Sequence, residues 1–315
     1  MKIISAEEVH SALSYPQLID ALQEGFSSLF TMPPRQVFLL DDEASNNDAF
    51  ALLPSWNDSL IALKSFTYFP DNAGPEHKSL YSKILLFDRA HGEPLALVDG
   101  TSVTFWRTAG ISGLASRFLS REDSETLLVL GTGNLASYII RAQASVRPLK
   151  RVLVWGRTAA NAEAVVQQMS AELPGIDCEV APDIQAACAD ADIVVSATGA
   201  HDPLVMGDWI KPGTHTDFIG NHHATKRECD TALVAKSKLY VDSRDNCFKE
   251  AGEVLVPISE GAITEDHIVG QLTEMCAGTI SLRESDTEIT LFKSIGMAYS
   301  DLVGAGLAYR AATAR

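Results

Sequence analysis

The chain reads as an α/β protein: a doubly wound parallel sheet follows a smaller domain whose sheet is largely antiparallel. Three observations carry this reading. The apolar run Leu127-Leu128-Val129-Leu130 stops at Gly131-Thr132-Gly133-Asn134-Leu135-Ala136, and a helical pattern follows. From about Ser124 onward, strand-like and helix-like segments alternate. Before that point, strand-like runs succeed one another with only breakers between them.

In order along the chain, the N-terminal part opens with helices. Ser14-Tyr15-Pro16-Gln17 reads as a capping box with proline in the first turn, and Leu18, Leu22, Phe26 and Leu29 follow at helical spacing. Strands are expected at 36–40, 49–53, 60–66, 82–87 and 94–99, with turns such as Asp71-Asn72-Ala73-Gly74-Pro75 and Ala90-His91-Gly92-Glu93. Residues 108–119 read as a helix leading into the next domain. There the strands are 127–130, 151–155, 176–180, 193–198, 216–219 and 239–241, with a helix near 184–188. The tail 290–312 reads as one long apolar helix rich in small residues, passing back to the first domain. The expected division is therefore discontinuous: 1–119 with 297–315, and 120–296 as a doubly wound dinucleotide-binding domain.

The glycine turn has a physical purpose in such a domain. Gly131 makes the tight turn, Gly133 lets backbone approach a pyrophosphate, and small Ala136 lets helix and strand pack closely. At the end of the next strand an NAD site usually holds Asp or Glu for the ribose hydroxyls. Here the residues are Gly156-Arg157-Thr158. A guanidinium beside a hydroxyl pairs with a 2′-phosphate, which favours NADPH over NADH; the plain alternative is a solvated arginine.

With 315 residues, 46% hydrophobic and 21% charged, the chain has the composition of a two-domain globular protein. A net charge of −16 argues against nucleic acid or an anionic membrane as partner. No apolar run approaches the length of a membrane span, and the N-terminus lacks a signal-peptide layout. Five scattered cysteines without Cys-x-x-Cys spacing suit a reducing cytoplasm and suggest neither disulfides nor zinc.

Three cations in the first domain stand in apolar or strand-like surroundings: Arg35 after Met32-Pro33-Pro34, Lys64 inside Leu60-Ile61-Ala62-Leu63-Lys64-Ser65-Phe66, and Arg107 after Phe105-Trp106, opening a helix. A lysine in an apolar strand has a lowered pKa suited to proton transfer, and two arginines can hold a carboxylate by forked hydrogen bonds. A snorkelling lysine and structural arginines fit the same spacing.

With these segments in view, the chain resembles the ornithine cyclodeaminase/μ-crystallin family along essentially its full length. The carriers are Met32-Pro33-Pro34-Arg35, Leu63-Lys64, Gly92-Glu93-Pro94-Leu95-Ala96-Leu97, Arg107-Thr108-Ala109, the glycine turn, Trp155-Gly156-Arg157-Thr158 and Leu291-Phe292-Lys293-Ser294-Ile295-Gly296-Met297-Ala298. The resemblance implies a homodimer, with 1–119 and 297–315 as its substrate-binding and dimerisation domain and 120–296 as its NADP(H)-binding Rossmann domain. It also implies that Arg35, Lys64 and Arg107 grip a substrate carboxylate bordered by Ile295, with Lys64 facing the reacting nitrogen. Ser79, Arg107 and Thr108 would touch the cofactor, together with Gly131, Gly133, Asn134, Leu135, Arg157 and Thr158. Thr198, Lys226 and Ser294 would line the nicotinamide side.

One departure separates the branches of that family. Cyclodeaminases carry an Asp in the segment that here reads Ile219-Gly220-Asn221-His222-His223-Ala224-Thr225-Lys226-Arg227-Glu228, and His222 occupies its place. An imidazole offers no counter-charge to the cationic amine of ornithine. It can help keep an imine nitrogen protonated, so His222 joins Lys64 as a candidate catalytic residue; a structural His222 is the alternative. Adjacent His222 and His223 point apart and suggest no metal. The expected activity is NADPH-dependent reduction of a cyclic ketimine carboxylate, Δ1-pyrroline-2-carboxylate to L-proline and possibly Δ1-piperideine-2-carboxylate to L-pipecolate. The alternatives are an ornithine cyclodeaminase, an alanine dehydrogenase, and a μ-crystallin-like protein that binds NADPH and a small ligand.

Overall fold

The computed structural model describes residues 1–40, 48–72 and 76–314. It divides into two compact units, Met1–Thr108 with Met297–Arg315, and Ala109–Gly296.

The first unit begins with a short strand β1 (Lys2–Ile4), helices α1 (Ala6–Ala12) and α2 (Tyr15–Ser27), and strands β2 (Gln36–Leu39), β3 (Ala49–Trp56), β4 (Leu60–Tyr68), β5 (Leu80–Asp88) and β6 (Pro94–Asp99). The sheet order is β1-β6-β5-β4-β3-β2, and every pair is antiparallel except β1 with β6. Helix α3 (Gly100–Leu119) follows. Strand side chains alternate between faces, so in β4 the face that buries Leu60 and Ala62 also buries Lys64. Edge strand β2 shows the reverse: Val37, Phe38 and Leu39 are about half exposed (53%, 49% and 57%).

In the second unit come β7 (Thr126–Leu130), α4 (Ala136–Ala144), β8 (Arg151–Trp155), α5 (Ala159–Glu172), β9 (Asp177–Val180), α6 (Ile184–Asp190), β10 (Ile193–Ser196), β11 (His215–Phe218), α7 (Thr231–Lys236), β12 (Lys238–Val241), α8 (Arg244–Glu250), α9 (Gly252–Ser259), β13 (Ile268–Gln271), α10 (Leu272–Ala277) and β14 (Thr290–Lys293). The eight strands run in the order β13-β12-β14-β11-β10-β7-β8-β9, all parallel. Buried on both faces, they read as continuous apolar runs such as Leu127–Leu130 and Ile193–Val195. All five cysteines are free and lie in this unit; Cys188, Cys229 and Cys247 sit in its core. Helix α11 (Ala298–Thr313) returns the chain to the first unit, where it packs on α1, α2, β3, β4 and β5.

Several expectations need correction. The chain starts with strand β1, and the capping box belongs to α1, where Ser5 and Glu8 exchange hydrogen bonds. Ser14 does start α2, but its hydroxyl donates to the Gln17 side chain and caps no backbone N–H. Helix α3 begins at Gly100, with Asp99 Oδ1 accepting from Ser102 N–H at 2.9 Å, so Arg107 lies within the helix and does not open it. The aromatic and β-branched run Thr101–Trp106 hid those turns, because tertiary packing overrides its weak helix propensity. Thr290–Lys293 is a central strand between β11 and β12, separated from α11 by a turn in which Gly296 has φ of 90°. The turn expected at 71–75 falls partly on 73–75, outside the described residues.

Candidate functional site

Each unit assembles its own cluster of chemically active groups. In the first, β4 and α11 bring a lysine and a carboxylate together out of water. Lys64 Nζ donates to Asp301 Oδ1 at 2.8 Å and to Thr104 Oγ1 at 2.6 Å. Arg107 Nε reaches the same Asp301 oxygen at 3.1 Å. Lys64 is 4% exposed and Asp301 1%, and Asp301 Oδ2 has no hydrogen-bond partner among the described residues. Burial pulls the Lys64 ammonium down from 10.5 to about 8; Asp301 opposes that shift and Arg107 adds to it. The close approach of α11 depends on small residues, since a Cβ on Gly304 would meet Val103 at 3.1 Å.

The Thr104 hydroxyl donates to Gly100 O at 2.7 Å, so toward Lys64 it acts as acceptor. Two of the three ammonium N–H bonds are thereby fixed, and the third has no partner among the described residues. Two cations against one carboxylate leave a positive surplus that suits an anionic ligand. Arg35, half-buried just before β2, belongs to the same unit. Ser79 is exposed just before β5, and Thr108 is half-buried in α3.

In the second unit the glycine turn joins β7 to α4. Gly131 has φ of +111°, and a Cβ there would sit 2.6 Å from Ala197 O, so no other residue fits. Gly133, by contrast, faces open space, which is the room a pyrophosphate needs against the backbone. Leu135 holds the N-cap of α4 and supplies no side-chain cap; Ala136 N–H donates to Gly133 O at 3.1 Å, and the next N–H groups of the first turn, with those of the exposed Gly133-Asn134 stretch, suit an anion. The turn after β8 lies alongside: a Cβ on Gly156 would meet Thr132 Cγ2 at 2.5 Å. Arg157 is exposed there without a hydrogen bond or ion pair among the described residues, and Thr158, at the N-cap of α5, spends no hydroxyl bond on the cap. These features fit a dinucleotide.

Thr198, Ser294 and Ile295 lie beyond the carboxyl ends of β10 and β14, and each is tied to a buried acid. Glu228 accepts from Ser196 Oγ (2.6 Å), Thr198 N–H (2.7 Å), Thr198 Oγ1 (2.7 Å) and Gly220 N–H (2.7 Å). Asp242 accepts from Ser294 Oγ (2.8 Å), Ile295 N–H (2.9 Å), Gly296 N–H (2.6 Å) and Ser243 N–H (2.7 Å). Between them Lys293, wholly buried, pairs with Glu253 at 2.9 Å and donates to Asn221 O at 2.9 Å. Glu253 also accepts the Glu228 N–H at 2.9 Å. Gly220 packs so closely that a Cβ would lie 2.2 Å from Thr198 O. His222 and His223 are exposed in the loop after β11, and Lys226 is half-buried there.

The sequence reading thus named Lys64 and Arg107, which the fold joins, but missed Asp301, Glu228, Asp242 and Lys293. Asp301 was hidden inside an apolar small-residue helix. A charged residue in such a run, like Lys64 in its strand, was the available signal.

The whole chain, residues 1–315, matches the model of the ornithine cyclodeaminase/mu-crystallin family. A Delta(1)-pyrroline-2-carboxylate reductase of Colwellia psychrerythraea is 52% identical over 307 residues, 97% of each chain. Among solved structures, Delta(1)-pyrroline-2-carboxylate reductase of Thermococcus litoralis, in complex with NADH and L-proline, superposes with a TM-score of 0.92 at 33% identity, covering 99% of this chain and 97% of that one. An archaeal alanine dehydrogenase dimer with bound NAD gives 0.91 at 28% identity, covering 100% and 96%.

Proposed function

Since the chain belongs to the ornithine cyclodeaminase/mu-crystallin family, we propose that it is an NADPH-dependent reductase of cyclic ketimine carboxylates, with Δ1-pyrroline-2-carboxylate as substrate and L-proline as product. The six-membered homologue is a second candidate substrate. The observation that carries this reading is the buried Lys64, held by Asp301 and Thr104 with one N–H to spare. The likeness to the Colwellia and Thermococcus reductases supports it.

Reducing C=N requires a hydride on carbon and a proton on nitrogen. A bound dihydronicotinamide supplies the hydride. Lys64 supplies the proton: near pH 7 an ammonium with a pKa of about 8 is still charged yet gives up its proton readily. Asp301 keeps the donor aligned and lowers the cost of its charge in a buried setting. Arg107 and Arg35 hold the substrate carboxylate, to which the Lys64 charge also contributes, so that orientation supplies much of the rate. His222, exposed where cyclodeaminases hold a carboxylate, offers no anion for the side-chain amine of ornithine and assists protonation instead.

The dinucleotide's pyrophosphate rests against Gly131, Gly133, Asn134 and Leu135, with Ser79, Arg107 and Thr108 as further cofactor contacts. Thr198, Lys226 and Ser294 border the nicotinamide. Arg157 and Thr158 take the 2′-phosphate, which is why NADPH is proposed over the NADH seen in the Thermococcus structure. The apolar edge strand β2 supports a homodimer; light scattering at the mass of one chain would count against it. No described helix is long and apolar enough to cross a membrane, and five free cysteines suit the cytoplasm.

The deciding experiment is NADPH oxidation with Δ1-pyrroline-2-carboxylate and Δ1-piperideine-2-carboxylate, run beside ornithine with NAD for proline and ammonia. Ready imine reduction with no useful ammonia release is the expected result. Ornithine turnover comparable to imine reduction would overturn the reading in favour of a cyclodeaminase.

A further inference from the structure

Hydride donation changes the charge of the donor ring. A neutral dihydronicotinamide becomes a pyridinium as the imine carbon is reduced, so surroundings already negative stabilise the ring as hydride leaves. The turns beyond β10, β11 and β14, which carry Thr198, Gly220-Asn221-His222 and Ser294-Ile295, are all anchored in one buried ionic cluster. We propose that Glu228 and Asp242 are positioning residues for the nicotinamide ring: they hold the turns that border it, and their fixed charge favours its oxidised, cationic form. The proposal rests on the reading of the chain as a nicotinamide-dependent reductase.

The geometry fixes both roles. Glu228 takes four donors, and Asp242 takes four N–H and O–H donors with the Cys247 thiol as a fifth. The main-chain N–H groups among them, Thr198 and Gly220 on Glu228 and Ser243, Ile295 and Gly296 on Asp242, can only donate, so they favour each carboxyl as the anion. Burial alone pushes the pKa of each upward, and the converging N–H and O–H groups resist that push. Glu253 and Lys293 offset each other at 2.9 Å. Three carboxylates and one ammonium leave two negative charges in excess. Asp217, on β11 and fully buried, is raised to about 7 and adds the same sign whenever ionised. The surrounding core is apolar, with Phe218, Val241, Val254 and Leu291 buried, so water does little to screen the surplus.

Gly220 shows that the anchoring is steric as well as electrostatic. A Cβ at that position would lie 2.7 Å from Glu228 Oε1 as well as against Thr198. The carboxylate, the Thr198 turn and the Gly220 turn therefore form one packed unit, and a change in the acid is transmitted to both loops.

The test compares the two redox forms of the cofactor as ligands, which separates a charge effect from loss of structure. NADPH binding is followed by its fluorescence and NADP⁺ binding by competition, in the wild type and in Glu228→Gln and Asp242→Asn, with thermal melts to establish folding. In the wild type NADP⁺ should bind at least as tightly as NADPH. Each variant should weaken NADP⁺ relative to NADPH by about tenfold, the scale of one charge acting through a poorly screened interior. Folded variants that lose both forms in equal proportion would reduce these residues to scaffolding and overturn the proposal. Should neither variant fold, a wild-type preference for NADPH of about tenfold or more would overturn it, and the expected wild-type ratio would uphold it. A wild type that binds neither form and reduces no imine would sink the parent reading with it, whereas an active wild type with unchanged ratios in the variants would sink this proposal alone.

Discussion

The first unit gathers two cations, Lys64 and Arg107, around one buried carboxylate, Asp301; the second buries three carboxylates, Glu228, Asp242 and Glu253, with one cation, Lys293. Neither balance is neutral, and the surpluses have opposite sign. Stability alone gives no reason for that, since unpaired buried charge costs several kcal/mol. Each surplus matches a charge the proposed chemistry brings in: an anionic carboxylate with a nitrogen awaiting a proton for the first cluster, and a ring that turns cationic for the second. Buried polar clusters differ in what they are for, and counting their surplus charge is one way to tell a catalytic group from a strut.

The sharpest way to break this comparison is to empty the first cluster. Lys64→Ala should lower kcat/KM for the imine by about 2 to 5 kcal/mol, the cost of removing one partner of a buried charged hydrogen bond. NADPH affinity should stay nearly unchanged, because Lys64 is assigned to the substrate and not to the dinucleotide. Wild-type turnover in this variant would show the lysine to be structural.

Crowding the second cluster is next in size. Gly220→Ala places a Cβ 2.2 Å from Thr198 O and 2.3 Å from Thr198 N, backbone atoms that cannot step aside. The variant should lose about 3 kcal/mol of stability, at the upper end of what overpacking costs, read as a drop in denaturation midpoint. An unchanged midpoint would mean that the Thr198 and Gly220 turns are looser than this packing implies.

A smaller effect is expected at the exposed Arg157. Arg157→Asp should weaken NADPH by about 1.5 to 3 kcal/mol while changing NADH little, through loss of a charge-assisted pair and new repulsion. Equal wild-type kcat/KM for NADH and NADPH would remove the basis for this expectation.

The last effect is a shift along the pH axis. Because Lys64 titrates at about 8 and the charged form gives the proton, kcat/KM should fall as pH rises through that value. Asp301 acts to raise this pKa, so Asp301→Asn should move the falling limb to lower pH, by about one unit. An alkaline limb that does not move would detach Asp301 from proton transfer.

Much of this was legible in the residues themselves. Parallel strands buried on both faces must read as apolar runs, and a glycine turn between strand and helix announces its backbone geometry, so the second unit emerged clearly from Ser124 onward. Lys64 stood out because nothing around it in β4 is polar enough to share a solvated face. What failed was anything decided by partners distant in sequence. Helix α3 starts at Gly100 because an aromatic, β-branched stretch is packed into place, and Thr290–Lys293 became a strand because a gap between β11 and β12 required one. Asp301 and Glu228 acquire meaning only when 237 residues separate a lysine from its carboxylate, or 30 a threonine from its anchor. No local pattern encodes those pairings.

The cysteines give the molecule a built-in reporter. All five lie in the second unit, and burial pushes the thiols of Cys188 and Cys276 up to about 12 and those of Cys229 and Cys247 well above their ordinary range. In the folded state the fully buried Cys188, Cys229 and Cys247 carry almost no thiolate and admit no reagent, so their alkylation, unlike that of the partly buried Cys178 and Cys276, must wait for that unit to open. The first unit has no thiol to answer. Labelling of those three therefore times the breathing of the second unit alone, with no probe added to the chain, and a ligand that tightens it should slow the clock.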